Sequence, residues 1–269
     1  MNLSHELNAM AAIAYRDLMK FLRDRSRIVG TLVFPAVFIL ILGGTFGAAA
    51  AEGRAFDMWT FVFLGVFAQS MWQSSAMGII SLLEDRENDF SQAIFVAPLS
   101  RYTILGGKIL GESLVSLAQG VVIFAFGLLI GIRMDVSQAL WLIPVSILVC
   151  LYGGAFGLLL MANMKSQRGA QQIFPFLLLP QFFLGGVISP VDKLAEKGDV
   201  ISLSLDFLSR ISPLRYAVDL LRGVFFGGVE PSQGAVLASP AFNLAVMAVV
   251  GGVFMAIGTA MFVRQERTR

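Results

Sequence analysis

Cysteine, histidine and charge are all scarce in this chain of 269 residues. Its one cysteine, Cys150, excludes an intramolecular disulfide and any cysteine-based metal cluster, and is read as a small apolar residue inside a helix. The one histidine, His5, lies near the N-terminus and reads as a surface group rather than a ligand or a catalyst. No metal site is expected. Only 14% of residues are charged, where a soluble domain carries about a quarter.

Catalytic and nucleotide-binding motifs are missing as well. The nearest trace of a P-loop is Gly106-Gly107-Lys108, but Ile109 follows it where Ser or Thr is needed. Tyr102 also stands at the place of the first P-loop glycine. There is no GxSxG, no HExxH, and no carboxylate pair within an apolar run. Ionisable residues are absent from the centres of those runs, and Pro35, Pro144, Pro175 and Pro180 do not pair up between two halves. This disfavours an ion-driven carrier. Glu112 is the one acid near the interior of a run, and it reads as a helix-end acid reaching the interface, with a polar path as the alternative.

What is abundant is apolar surface. Hydrophobic residues make up 57% of the chain, mean hydropathy is +0.77, and there are 23 phenylalanines. The class is an all-α integral membrane protein. Crossing ~30 Å of hydrocarbon takes about 20 apolar residues as a helix, and six stretches qualify: 28–51, 58–83, 109–132, 138–163, 170–190 and 242–263. Gly43, Gly44, Gly153, Gly154, Gly157, Gly251 and Gly252 would let these helices approach closely.

Residues 5–27 interleave Glu6, Arg16, Asp17, Lys20, Arg23, Asp24, Arg25 and Arg27 with apolar side chains, which argues against a cleavable signal peptide. Leu7, Met10, Ala11, Ala14, Leu18 and Phe21 recur at helical spacing. The expectation is an amphipathic helix in the headgroup layer, touching membrane lipids, with an ordinary cytosolic helix as the alternative. Thirteen of the twenty Lys and Arg residues fall on one side if both termini face the cytoplasm. Arg54 and Arg133 lie alone in the first two outer loops, and the remaining five lie between the fifth and sixth spans.

Residues 191–230 are too polar to span and too apolar for a plain loop. Arg215, Asp219 and Arg222 recur at i, i+4 and i+7 and share a helical face. A re-entrant helical hairpin in the outer leaflet is expected there, the alternative being a soluble outer loop.

The remaining polar segment, 84–101, lies between the second and third spans. It opens Glu84-Asp85-Arg86-Glu87-Asn88-Asp89 and continues through Phe90, Ile94 and Ala97 to Pro98. Asn88 or Asp89 can cap a short helix and Pro98 can end it. Phe90, Ile94 and Ala97 then form one apolar face, flanked by acids.

Two groups of residues carry a family resemblance. Arg86-Glu87, followed by Ala97-Pro98-Leu99-Ser100-Arg101 and then Gly107-Lys108, resembles the first cytoplasmic loop of type-2 ABC exporter permeases. The run from Phe182 through Gly185-Gly186 to Pro190, followed by Ser212-Pro213-Leu214-Arg215-Tyr216 with Asp219 and Arg222, is similar to that family's C-terminal signature. Asn88-Asp89-Phe90 departs from the Gly-Thr-Leu common in the family.

The resemblance implies the permease subunit of an ATP-driven exporter of drug-like, lipid-like or glycan-linked substrates. It implies a bacterial cytoplasmic (inner) membrane location and a permease that dimerises, as a homodimer in the simplest case. Two copies of a separate ATPase would bind ATP and Mg, so this chain would hold no cofactor and be no enzyme. Glu84, Arg86, Glu87, Asp89, Phe90, Ile94 and Pro98 would form the coupling element, and Pro190, Pro213, Tyr216, Asp219 and Arg222 the re-entrant signature. Phe174, Phe176, Phe182 and Phe183 could line a substrate route or face lipid. No nucleic-acid partner is implied. The rival reading is a multi-pass protein without an ATPase, either a facilitative channel or a lipid-modifying enzyme. A channel would need more than the polar stripe Gln69, Ser70, Gln73, Ser74 and Ser75.

Overall fold

A computed structural model describes residues 3–49, 56–83, 100–162, 164, 166–189, 191, 199–227 and 235–267. Among these residues the regular elements are all helices: α1 (Leu3–Arg23), α2 (Arg25–Ala49), α3 (Met58–Gly78), α4 (Arg101–Leu129), α5 (Val136–Met161), α6 (Gln167–Leu184), α7 (Val200–Ile211), α8 (Pro213–Phe225) and α9 (Pro240–Arg267). The expected coupling residues Glu84, Arg86, Glu87, Asp89, Phe90, Ile94 and Pro98 lie outside the described residues, as does Pro190.

Short polar side chains start most of these helices. Asp24 accepts from the Arg27 amide at 2.9 Å, Asp57 from the Thr60 amide at 3.0 Å, and Ser100 from the Thr103 amide at 3.0 Å. Ser166 serves α6 and Asp199 serves α7 in the same way. Each satisfies an amide that the first helical turn leaves without a partner. Pro213 opens α8, where its fixed φ and missing N–H cost nothing.

The core is organised around α3, which packs against α2, α4, α5 and α8. Phe61, Val62, Phe63, Leu64, Val66, Ala68 and Trp72 are fully enclosed. Trp72 stacks on Phe156 of α5 with ring centroids 4.8 Å apart. Gly153 and Gly157 bring α5 onto the α3 backbone: a Cβ at Gly157 would lie 2.7 Å from the Ala76 Cα. The expected close approach at these two glycines is therefore present, whereas Gly252 faces open space.

Among the described residues four helices are long and apolar enough to cross a bilayer, over Arg25–Thr45, Tyr102–Leu129, Val136–Met161 and Pro240–Arg264. The expected second and fifth spans fall outside that set. Gln69, Ser70, Gln73, Ser74 and Ser75 dilute α3, and Gln167, Arg168, Gln171, Gln172 and Gln181 dilute α6. In α3 that polarity is turned inward. Gln69 is enclosed and its amide donates to Gln73 at 2.8 Å, and Ser70 donates to the Val66 carbonyl at 2.7 Å.

The two largest shifts of helix ends relative to the expected spans fall on the third and the fifth. The helix carrying the third span begins at Arg101, eight residues before 109. The one carrying the fifth ends at Leu184 rather than 190, because Gly186 adopts φ +69° and turns the chain.

Candidate functional site

Two polar networks lie at the two ends of α3, roughly 30 Å apart at 1.5 Å per residue. One is built by α8, the other by α1.

At the first, the signature residues of α8 reach in several directions. The Arg222 side chain is buried; Nη1 donates to the Gly186 carbonyl at 2.8 Å, and Nη2 to those of Val187 and Phe61 at 3.0 Å each. Its guanidinium carbon also sits 3.4 Å from the Phe61 ring centroid. Gly65 makes room, since a Cβ there would stand 2.6 Å from Nη2. One planar cation thus ties the end of α6 and the start of α3 to α8. Burial lowers the guanidinium from its ordinary value, and the nearby Asp219 charge opposes this.

Asp219 serves a different neighbour. Its carboxylate accepts from the Leu237 amide at 2.7 Å, the Ala238 amide at 2.9 Å and the Asn243 side chain at 2.7 Å. It therefore organises the approach to α9. Burial raises the carboxyl above the usual range, and these three donors offset only part of that rise. Tyr216 donates to the Arg210 carbonyl at 2.7 Å, and Arg215 donates to Ser209, which itself donates to the Leu184 carbonyl. Pro213 is buried at the helix start.

The shared face expected for Arg215, Asp219 and Arg222 is thus turned into protein. The two arms of the expected hairpin differ. Packing against α3, α5, α6 and α9 holds α8 within the bundle, while α7 exposes Val200, Ile201, Phe207 and Ile211.

At the other end, α1 lies along the first half of α4. The expected apolar face is present in part: Ala14 and Phe21 are buried, but Leu7 is exposed. Asp17, also buried, binds Lys108 Nζ at 2.7 Å through Oδ2 and Arg16 at 2.9 Å through Oδ1. Lys108 continues to Glu112 Oε1 at 3.3 Å, and that same oxygen accepts from Ser81 at 2.8 Å. Nearer the α4 start, Glu6 accepts from the Ser100 amide at 3.3 Å and from the Thr103 hydroxyl.

This places Glu112 among protein groups. Its carboxylate does not open to solvent: it is 4% exposed, paired to Lys108 and fitted against Gly78. Lys108, which in the sequence ends both a failed P-loop and the Gly-Lys of the first motif, is the centre of the network. The i, i+4 spacing of Lys108 and Glu112 was the one local sign of it. Asp17 and Ser81 gave none.

Phe174 and Phe182 are buried, whereas Phe176 and Phe183 face outward. Phe182 packs edge-on against Phe38 of α2, with centroids 5.1 Å apart. Cys150 is enclosed and free. Among the described residues no three His, Cys, Asp or Glu side chains gather as a metal site.

A sequence model described as the ABC-2 type transporter matches residues 8–226. A protein of Cyanophora paradoxa named "Putative transport permease ycf38" is 22% identical over 223 residues, which cover 81% of this chain and 74% of that protein.

Proposed function

The chain belongs to the ABC-2 type transporter family, and from that premise we propose that it is the membrane-spanning permease of an ATP-driven exporter. Permeases of this family are the transport components of ABC transporters and work with a separate ATP-binding subunit. The observation that carries the proposal is the family match over most of a chain that has no P-loop of its own.

In this reading the whole chain is one transmembrane domain with six spans. The four apolar helices α2, α4, α5 and α9 are joined by α3, which α2, α4, α5 and α8 enclose, and by α6. Both termini face the cytoplasm of a bacterium, and the protein sits in the inner membrane. That orientation rests on the clustering of Lys and Arg on one side. It places the α1 network on the cytoplasmic side and the α8 network on the outer side, where α8 and α7 form the re-entrant region.

Two permease copies pair with two ATPase subunits, which bind ATP and Mg. The segment from Glu84 to Pro98 docks on the ATPase through Phe90 and Ile94. Glu84, Arg86, Glu87 and Asp89 supply its charged surroundings. Cargo is amphipathic or lipid-like, because the apolar helices carry no ionisable group at their centres. No cofactor is held by this chain.

The test is a set of docking variants in membranes. Charge reversal at Glu84 and Glu87, or Phe90→Asp, is expected to abolish transport and transport-coupled ATP hydrolysis while the permease stays folded. Unimpaired transport by these variants would contradict the docking role.

A further inference from the structure

On one side of the bundle α4 and α5 leave a groove whose floor is α3. Phe67 and Met71, both buried, form the floor. Val121 of α4, with Leu140 and Ile143 of α5, forms the exposed walls. The cavity measures about 550 Å³. Gly120 leaves the junction of wall and floor without a side chain, where a Cβ would lie 2.9 Å from the Met71 Cε.

Its dimensions select an occupant. On α5 the lining runs from Val136 to Ile147, which is ~16 Å at the helical rise. Half the hydrocarbon thickness of a bilayer is about 15 Å. Spread over that length, the volume gives a mean cross-section of about 33 Å², a channel roughly 6 Å across, whereas a helix with its side chains is about 10–12 Å wide. A helix from a second copy does not fit, and flexible hydrocarbon does. The lining is apolar except for Ser146, whose hydroxyl can turn back onto the carbonyl four residues earlier in its own helix. A hydrocarbon occupant therefore strands no polar group.

The mouth of the groove is at Val136, beside α8. There the chain turns between α4 and α5 at Gly131, which adopts φ +93°. Gln138 then fixes the first turn of α5: its carbonyl accepts from the Asp135 amide at 2.8 Å, and its amide donates to the Phe225 carbonyl of α8 at 2.9 Å. In the turn stands Arg133, exposed and in no ion pair with another described residue. It is three residues from Val136, so at most about 10 Å away along the chain. A guanidinium at the edge of the hydrocarbon suits a lipid phosphate, which it can bind with two parallel hydrogen bonds. Asp135, also exposed, gives the mouth a charge of the opposite sign. A headgroup that carries an amine beside its phosphate matches both.

We propose that this groove is a specific site for one hydrocarbon chain of a zwitterionic phospholipid from the surrounding bilayer, with the phosphate on Arg133. The site rests on the chain spanning a membrane and not on the exporter reading; that reading only makes the leaflet the outer one.

The experiment counts phosphatidylethanolamine bound per chain by native mass spectrometry, on the full chain stripped of loose lipid in detergent and then titrated. One tightly held lipid per chain is expected, with phosphatidylglycerol held more weakly. Ala139→Phe fills the groove and abolishes retention. Val121→Trp does the same from the exposed wall, where the core is not disturbed, and melting without lipid shows that each variant is folded. Arg133→Gln weakens binding about fivefold, the contribution of one cation beside lipid phosphates. Ser146→Ala leaves binding unchanged, because hydrocarbon makes no use of the hydroxyl.

Undiminished retention in folded Ala139→Phe and Val121→Trp overturns the site. Unchanged affinity in Arg133→Gln, or phosphatidylglycerol held as tightly, overturns the headgroup assignment. Loss of binding in Ser146→Ala means an occupant with a polar group deep in the groove, and overturns the hydrocarbon chain. Failure of the unaltered chain to retain an ATPase overturns the exporter reading instead, and the lipid titration still decides the site.

Discussion

Asp17 on α1 and Lys108 on α4 stand 2.7 Å apart, 5% and 3% exposed, although ninety-one positions separate them in the chain. Glu112 lies on the other side of the same ammonium at 3.3 Å. One cation thus serves two carboxylates in a site nearly closed to solvent. Removing that cation leaves both acids facing each other with no charge between them.

Lys108→Met is therefore expected to destabilise the protein by about 3–5 kcal/mol, the usual result of breaking a buried pair from one side. Lys108→Arg keeps the charge and loses much less. Thermal unfolding in detergent compares the two. A Met variant that melts with the unaltered protein would show that the pair carries no structural weight.

Arg222 reaches the Gly186, Val187 and Phe61 carbonyls with two nitrogens of one rigid plane. Lysine offers a single nitrogen and cannot reproduce that fork. Arg222→Lys should lose about 1–3 kcal/mol, the cost of buried acceptors left without donors. Protease sensitivity after Leu184 should rise with it. Equal stability of the Lys variant would mean that charge, not the planar fork, is what matters.

Asp219 gathers the Leu237 and Ala238 amides together with Asn243. In Asp219→Ala those two amides lose their acceptor, and hydrogen exchange at Leu237 and Ala238 should accelerate. Asn243→Ala removes one donor and leaves both amides bonded, so it should cost about 1 kcal/mol with little change in exchange there. Identical exchange in the two variants would count against this division of roles.

Gly157 and Gly252 make a controlled comparison. A Cβ at Gly157 would press on the Ala76 backbone, whereas one at Gly252 meets nothing within 4 Å. Gly157→Ala should cost about 1–3 kcal/mol as overpacking. Gly252→Ala should be neutral or gain up to about 1 kcal/mol from better helix propensity. Comparable melting of the two would mean that α3 and α5 can separate without penalty.

Much of this was legible along the chain because it is local. Apolar runs located the helices, whereas the short polar residues that start them, Asp24, Asp57, Ser100 and Asp199, went unread as caps. The two motifs around Ser100 and Pro213 pointed to the family that the sequence match then showed. What stayed hidden depends on which helices meet. The Lys108 site takes partners from α1 and from the end of α3, and no spacing rule joins residues so far apart. Gly185-Gly186 looked like the inside of an apolar run, yet the positive φ of Gly186 ends the helix and leaves the Gly186 carbonyl free for Arg222. The polarity of α3 diluted its apolar signal because that helix is solvated by its neighbours and not by lipid.

The most direct measurement is the composition of the complex purified from native membranes through a tag on this chain. Equal numbers of permease and ATP-binding chains, with ATP hydrolysis in the purified complex and loss of the ATPase on Phe90→Asp, are the expected result. A permease that purifies intact and without any ATP-binding subunit, or one whose ATPase is retained undiminished by Phe90→Asp, would contradict the proposal that an external motor drives these helices through the segment between α3 and α4.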